Sequence, residues 1–222
     1  MRLTIFAATG GIGRQLLAQA LAAGHDVTAV VRKPAAMSAP GVRVVAADLS
    51  AAAPAVLREA VDGADAVLSG LGARSKSDAG VAERGTRAIV AAMQAAGVRR
   101  LVVVSAAPIG TVASPARPNP PRHDPGDGAF RRYVAMRIVK AALRAHYADL
   151  ARMEDVLRDS GLDWTAVRPP RLTDKPLTGR YRTAYGRNPR GGMFASRADV
   201  AHYMLRALDE PASVKQTIGV AN

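Results

Sequence analysis

Six apolar, β-rich runs recur along the chain and alternate with stretches of helical periodicity. The runs are LTIFAA, DVTAVVR, VRVVAAD, ADAVLSGLG, RLVVVSAA and DWTAVRPP. Nearly continuous apolar strands that alternate with helices are typical of a parallel sheet covered on both faces. A chain of 222 residues suits one domain of this kind. The sequence therefore predicts an α/β fold, a doubly wound parallel sheet in a single domain over residues 1–222.

The helical stretches give three further expectations. Those from Arg14 to Gly24 and from Gly85 to Gly97 each close on a glycine that can adopt the left-handed cap conformation. The stretch RMEDVLRDSG carries acidic and basic residues at helical spacing, which indicates a solvated face. Trp164 alternates with apolar neighbours and is expected in the core.

Two segments interrupt the alternation of strands and helices. Residues 107–130 are crowded with Pro and Gly, so we expect a loop without regular structure after the fifth strand. Residues 168–197 follow the sixth strand and contain short β-like pieces such as GRYRTAY. In open α/β sheets ligands bind outside the carboxyl ends of the strands, so both segments are expected to build an acceptor pocket. The alternative is two disordered surface excursions.

A glycine-rich turn, AATGGIGRQLL, follows the first strand. Small residues are needed there because backbone N–H groups must approach a pyrophosphate at the N-terminus of the next helix. Gly10 is the close-approach position, Gly13 lets the helix pack on the strand, and Thr9 and Arg14 can add a hydroxyl and a cation. Ala7 stands where the first glycine is expected. A residue that leaves a strand rarely needs positive φ, so we expect the turn to tolerate Ala7.

The end of the second strand predicts which nucleotide binds. Arg32 and Lys33 stand there without an acidic residue, and this favours NADP(H) over NAD(H), because a cation accommodates a 2′-phosphate. The alternative is that both are ordinary exposed cations. Asp48 ends the third strand, where it meets either the adenine amino group or the local turn through Ser50.

Composition limits which other kinds of partner, metal site and location are expected. The chain has no cysteine, its four histidines show no ligand spacing, and no apolar run is long enough to cross a membrane, so we expect no metal and no membrane. No signal-peptide pattern opens the chain, and a cytoplasmic location is the expectation. The formal net charge of +13 is spread along the chain, which makes nucleic acid at most a secondary partner. A monomer or homodimer that acts on a small molecule is expected.

Several of these motifs together resemble the atypical short-chain dehydrogenase/reductases. Within that family, they resemble the biliverdin-IXβ reductase/flavin reductase and NmrA-like branch. The resemblance rests on IFAATGGIGRQL, VTAVVRKP, AADL, RGTRAIVAAMQAAGVRRLVVVSA, SRADVAHYMLRAL and, most specifically, EDVLRDSGLDWTAVRPPRLTDKPLTGRY. The resemblance implies a Rossmann-like domain, NADPH, and reduction of a planar conjugated acceptor such as a flavin or tetrapyrrole.

The resemblance and the motifs together assign the site residues. Ser105 and Arg171 are the catalytic candidates, and Arg171 is a departure because the flavin reductase carries a histidine directly after the paired prolines. The long proline-rich segment 107–130 is a second departure. The cofactor-binding candidates are Thr9, Gly10, Gly11, Ile12, Gly13, Arg32, Lys33, Asp48, Leu49, Gly70, Leu71, Gly72, Ser105, Pro169 and Pro170.

The usual proton donor of the larger family is absent. No tyrosine is followed four residues later by lysine, and Arg137 after Tyr133 is not equivalent, because guanidinium differs from ammonium in shape and stays charged. Hydride transfer to a flavin, quinone or similar conjugated acceptor needs fewer ionisable groups. An NADPH-dependent reductase is therefore expected. The alternatives are a non-catalytic NmrA-like sensor that binds NADP and, less favoured, a nucleotide-sugar epimerase or dehydratase.

Overall fold

The computed structural model describes residues 1–34, 40–72, 78, 80–126 and 143–222. Its centre is an eight-stranded sheet with the order β3-β2-β1-β4-β5-β6-β10-β8, in which only β8 runs antiparallel, and a separate parallel pair joins β7 to β9. The strands are β1 (Arg2–Phe6), β2 (Asp26–Val31), β3 (Arg43–Ala46), β4 (Ala66–Ser69), β5 (Arg100–Val104), β6 (Asp163–Arg168), β7 (Arg171–Thr173), β8 (Arg182–Tyr185), β9 (Phe194–Ser196) and β10 (Gln216–Ala221).

Helices cover both faces of this sheet. Within the described residues the α-helices are α1 (Gly11–Ala22), α2 (Pro54–Val61), α3 (Val81–Ala96), α4 (Arg144–Asp159) and α5 (Arg197–Arg206). The residues of α2, α3 and α4 pack on one face, and those of α1 and α5 on the other. Strand residues alternate between the two cores, as Leu101 and Val102 do on β5. Both faces are therefore buried, which explains why the strands read as continuous apolar runs.

The predicted doubly wound sheet is confirmed, since the six apolar runs form β1 to β6 and the observed order is that of a Rossmann-like fold. The glycine caps are also confirmed: Gly97 ends α3 with φ of 72°, and Gly24 follows α1 with φ of 75°. Both helices begin earlier than predicted, α1 at Gly11 and α3 at Val81. The sequence reading did not include β10, which extends the sheet beyond β6.

The expectation of a solvated face on the stretch RMEDVLRDSG was wrong. Glu154 is 1% exposed and Asp155 is 8% exposed. Glu154 continues the buried stripe of Tyr147, Leu150 and Leu157 at helical spacing on α4. Glu154 and Asp155 therefore face the interior, where they need partners.

The two irregular segments are more ordered than the sequence suggests. The first begins with a 3₁₀ turn, Ala107–Thr111, which corrects the expectation that it holds no regular structure; its residues 127–130 lie outside the described part. Asp124 then accepts hydrogen bonds from the backbone N–H groups of Gly126 and Asn188, so the first segment is tied to the second. The second contains β7, β8 and β9. Neither described portion is a featureless excursion.

Candidate functional site

The glycine-rich turn joins β1 to α1 at the carboxyl edge of the sheet. The N–H of Gly10 donates to the carbonyl oxygen of Ala7 at 2.8 Å, and α1 begins at the next residue. A Cβ atom on Gly13 would overlap the Ala7 carbonyl, and one on Gly70 would lie 3.0 Å from the Gly13 nitrogen. Glycine is therefore required at Gly13 for the close packing of helix and strand. The turn and Gly70, two predicted parts of the site, lie against each other.

Ala7 contradicts one expectation from the sequence. Its φ is +56°, in the left-handed region where glycine is the preferred residue. The chain has to reverse directly after β1 so that the Ala7 carbonyl can accept from Gly10, and this forces the positive φ. The side chain therefore costs roughly 1 kcal/mol of backbone strain relative to glycine.

A cavity of about 150 Å³ opens beside this turn, at the ends of β1, β2 and β3. It brings together five of the predicted cofactor residues, namely Thr9, Arg32, Asp48, Leu49 and Leu71. Lys33, also predicted, is exposed and does not contribute to the lining. In a doubly wound sheet this position, next to the switch point between β1 and β4, is where the adenosine half of a dinucleotide is expected. We call it the adenosine cavity.

The charged groups of the adenosine cavity are mostly exposed. The Arg32 side chain is 56% exposed and lies 4.0 Å from the carboxylate of Asp78. Asp48 accepts hydrogen bonds from the backbone N–H and the hydroxyl of Ser50, and these two bonds, with a smaller contribution from Arg32, lower the pKa of Asp48. The expected turn through Ser50 is thus present, while contact with adenine remains a prediction.

Two cations near this site were missed by the sequence reading. Arg197, the first residue of α5, lies over the start of α1, where a Cβ on Gly11 would be only 2.7 Å from the Arg197 Nε. Its guanidinium also pairs with Asp174 at 2.7 Å. Arg84 on α3 contributes to the lining of the adenosine cavity. Neither belongs to the glycine motif, and only the packing of α5 and α3 against the carboxyl edge brings them there.

Ser105 and the paired prolines meet at the ends of β5 and β6. The Ser105 N–H donates to the Val167 carbonyl at 2.7 Å, and the Ala107 N–H donates to the Pro169 carbonyl at 2.9 Å. The Ser105 hydroxyl donates to Glu154 Oε1 at 2.8 Å, and the serine is 7% exposed. The Ser105 hydroxyl proton is therefore engaged in a hydrogen bond within the protein. The lone pairs of the hydroxyl oxygen can still accept a hydrogen bond from a ligand.

Glu154 is the centre of a buried ionic network below Ser105. Its carboxylate accepts from Arg168, which is 4% exposed, through Nε at 2.8 Å and through a second guanidinium nitrogen, and also from Arg158 at 2.9 Å. Burial by itself raises the pKa of Glu154, but Arg168, the Ser105 hydroxyl and Arg158 outweigh it, and the pKa is lowered. The carboxylate is therefore held charged. A carboxylate on the apolar stripe of α4 was the signal in the sequence.

Arg171 begins β7 and pairs in register with Phe194 on β9. The guanidinium carbon lies 5.9 Å from the centre of the Phe194 ring, which is a cation–π distance, and Phe194 is 45% exposed. The neighbouring Met193 is 50% exposed. Arg171 follows Pro170 directly, so this exposed aromatic and cationic surface continues from the predicted nicotinamide side.

Two absences apply to the described part of the chain. No cluster of three acidic or histidine side chains there is arranged to hold a metal ion. None of its helices has the length and apolar character needed to cross a membrane.

Comparison with known proteins agrees with this geometry. The profile of a family described as NAD(P)H-binding matches residues 7–211, which include the glycine-rich turn that follows β1 and the strands β2 to β9. The chain belongs to the NAD(P)H-binding family. Its glycine cradle and the cations around the adenosine cavity fit the dinucleotide that the family name implies.

Individual relatives cover almost the whole chain. A curated protein of Bacillus subtilis (strain 168), named uncharacterized sugar epimerase YhfK, is 30% identical over 218 residues, which are 95% of this chain and 89% of that protein. ChuY, an anaerobillin reductase from Escherichia coli O157:H7, has a similar structure, with a TM-score of 0.76 and 24% identity over 100% of this chain and 97% of that one. A short-chain dehydrogenase/reductase from Veillonella parvula DSM 2008, solved with NADP, gives a TM-score of 0.76 and 21% identity over 100% and 94% of the two chains.

Proposed function

We propose that this protein is an NADPH-dependent reductase that transfers a hydride to a flavin, a quinone or a similar conjugated acceptor. The observation that carries the proposal is the adenosine cavity, which joins the glycine-rich turn to Arg32 at the end of β2. A 2′-phosphate placed there meets Arg32 and Arg84, and among the described lining residues the only carboxylates are Asp48 and Asp78. An added phosphate competes with Asp78 for Arg32.

In this proposal the glycine-rich turn and Arg197 bind the pyrophosphate of the dinucleotide. The N-terminus of α1 presents free backbone N–H groups and the positive end of the helix. The Arg197 guanidinium over Gly11 supplies a cation at the same place. Both features act on the pyrophosphate, which NADH and NADPH share, whereas Arg32 acts only on the 2′-phosphate.

The acceptor side supports a planar, anionic partner. Reduced nicotinamide supplies a hydride when it is bound. The acceptor then collects one proton from water, so the protein need not provide an acid. Ser105 offers a hydrogen-bond acceptor at the end of β5, while Arg171 and Phe194 offer a cation and an aromatic face on β7 and β9. A flavin phosphate or a propionate suits Arg171. ChuY, a structural neighbour that reduces anaerobilin according to its name, fits this class of acceptor.

A sugar epimerase is the second candidate, favoured by the name of the B. subtilis relative. That chemistry commonly needs a proton donor such as tyrosine with lysine four residues later. The described tyrosines are followed at this spacing by Ala151, Tyr185, Pro189 and Ala207, and Tyr133 with Arg137 lies outside the described residues. The reductase is therefore the better proposal.

The test is oxidation of NADPH and of NADH by the purified protein with FMN, riboflavin and a quinone, followed through the absorbance of the reduced nicotinamide. Arg171→Gln and, as a matched control on the exposed surface, Arg187→Gln are measured beside the wild type. The proposal expects turnover with NADPH preferred, and a higher KM for FMN in Arg171→Gln only. NADPH binding without turnover on any acceptor contradicts it and favours the NADP-binding sensor.

A further inference from the structure

A second cavity, of about 390 Å³, lies on the other half of the sheet. Its walls come from β6, the start of β10, the last turn of α4 and the proline-rich segment after β5. Among the residues that the structure describes, it shares no lining residue with the adenosine cavity. We call it the β6–β10 cavity. The family resemblance gives it no role, and the proline-rich segment that forms one wall is where this chain departs from the related branch.

The lining of the β6–β10 cavity is strongly cationic. Its described lining includes the cations Arg117, Arg158, Arg168 and Lys215 and one carboxylate, that of Asp124. The guanidinium groups are close enough to repel each other: burial lowers the pKa of Arg117, and the charges of Arg168 and Arg158 lower it further. Nearby carboxylates offset part of this charge.

The hydrogen bonds within the protein use only part of this donor set. Arg168 and Arg158 donate to Glu154, and Arg158 donates also to Asp155. Arg117 donates to the carbonyl oxygens of Ile109 and Val112. The Nε of Arg117 is buried and has no hydrogen-bond partner among the described residues. A buried charged donor without a partner is unfavourable. A ligand oxygen is the kind of group that satisfies it.

Lys215 adds a second, independent observation. Its φ is +57°, so a residue with a long cationic side chain stands in a conformation that favours glycine. Its N–H donates to the Trp164 carbonyl at 2.6 Å, which fixes the backbone directly before the start of β10. Backbone strain of this kind is often retained where the side chain has a function.

We propose that the β6–β10 cavity binds an oxyanion, the phosphate or carboxylate group of a small molecule other than the dinucleotide. Guanidinium and ammonium donors that converge on one space form strong, charge-assisted hydrogen bonds with such a group. The volume admits a small organic body beside the anion. Trp164 and Pro121 give that body an apolar wall.

Isothermal titration calorimetry with inorganic phosphate and, separately, with acetate tests this proposal, at constant ionic strength in chloride buffer. The variants are Lys215→Gly and Arg117→Gln. Lys215→Gly removes the cation and leaves a residue suited to positive φ, so it is expected to fold at least as well as the wild type. Arg122→Gln, exposed in the same proline-rich segment and outside the lining, is the matched control.

The proposal expects one anion per chain at this site, bound roughly tenfold more weakly by both cavity variants and with unchanged affinity by Arg122→Gln. Binding of phosphate alone assigns a phosphorylated ligand, and binding of acetate alone assigns a carboxylate. Two results overturn the proposal: cavity variants that bind like the wild type, or no binding of either anion up to concentrations on the order of 10 mM.

Discussion

The adenosine cavity and the Glu154 network use the same kinds of charged side chain in opposite ways. In the cavity, Arg32 is 56% exposed and its nearest carboxylate is 4.0 Å away. In the network, Glu154 is 1% exposed and accepts hydrogen bonds from Ser105, Arg158 and Arg168. Exposed charges with loose partners are free to meet a ligand and contribute little to stability. Buried charges are committed to one another, and the fold depends on each of them.

The largest effect is expected from Glu154→Gln. This change leaves Arg168 buried without its counter-charge, and the free energy of unfolding should fall by about 3 kcal/mol. Chemical denaturation of the variant and the wild type measures it. Glu59→Gln is the matched control, because Glu59 forms an exposed pair with Arg43 and should change stability by less than about 0.5 kcal/mol. Equal effects of the two substitutions would contradict the distinction between the regions.

The same network predicts the direction of a pH dependence. The pKa of Glu154 is lower in the folded than in the unfolded protein, so its contribution to stability is complete above the ordinary glutamate range, about 4.5. That contribution is lost as the pH falls through the lower, folded value. Unfolding free energies measured from neutral to acid pH should fall less steeply for Glu154→Gln than for the wild type. Parallel curves would show that Glu154 does not titrate with a lowered pKa.

A smaller effect, on binding, is expected from Arg197→Gln. Loss of the guanidinium over Gly11 should weaken the binding of NADH and of NADPH by the same factor, roughly tenfold, because both nucleotides carry the pyrophosphate. Fluorescence titration with each nucleotide measures the two dissociation constants. Arg14→Gln, in the first turn of α1, tests whether the cation that the sequence alone suggested also binds the pyrophosphate. If Arg14→Gln has the larger effect, the role given to Arg197 is wrong.

The smallest effect is expected from Ala7→Gly. Glycine relieves the positive φ of Ala7, and we expect a gain of about 1 kcal/mol in unfolding free energy. Thermal and chemical denaturation measure this gain, and Ala8→Gly, one residue further at a buried site, serves as the control that should lose stability. The NADPH affinity of Ala7→Gly shows separately whether the methyl group hinders the cofactor. A less stable Ala7→Gly protein would contradict the strained turn.

The central strands and the glycine positions of the fold could be predicted from the sequence, because the sequence signals for them are local. The apolar runs that became β1 to β6 are continuous, and the glycines at Gly13 and Gly97 stand where a close approach and a left-handed cap require them. The edge strand β8 and its neighbour β10 carry weaker patterns: β10 owes its place to pairing with β6, and β8 to pairing with β10. Ala7 was misjudged, since its φ is set by the turn it closes.

The candidate site was predictable where it follows strand ends along the chain. Thr9, Arg32 and Asp48 each directly follow a strand or its turn, and parallel strands end at one edge. Arg197 and Phe194 come from the distant end of the chain and reach the site only through tertiary packing. The Glu154 and Arg168 pair was not predicted, because the charged residues at helical spacing were interpreted as a solvated face; the carboxylate on the apolar stripe of α4 was the signal for a buried partner.

The central claim is that the exposed cation Arg32 makes the adenosine cavity a site for NADPH. Titration of NADPH and NADH against the wild type, Arg32→Gln and Lys33→Gln tests it most directly, since Lys33 is the adjacent cation outside the cavity lining. We predict that the wild type binds NADPH at least about tenfold more tightly than NADH, and that Arg32→Gln alone removes this preference by weakening NADPH. Equal affinities in the wild type, or an unchanged preference in Arg32→Gln, would contradict the account.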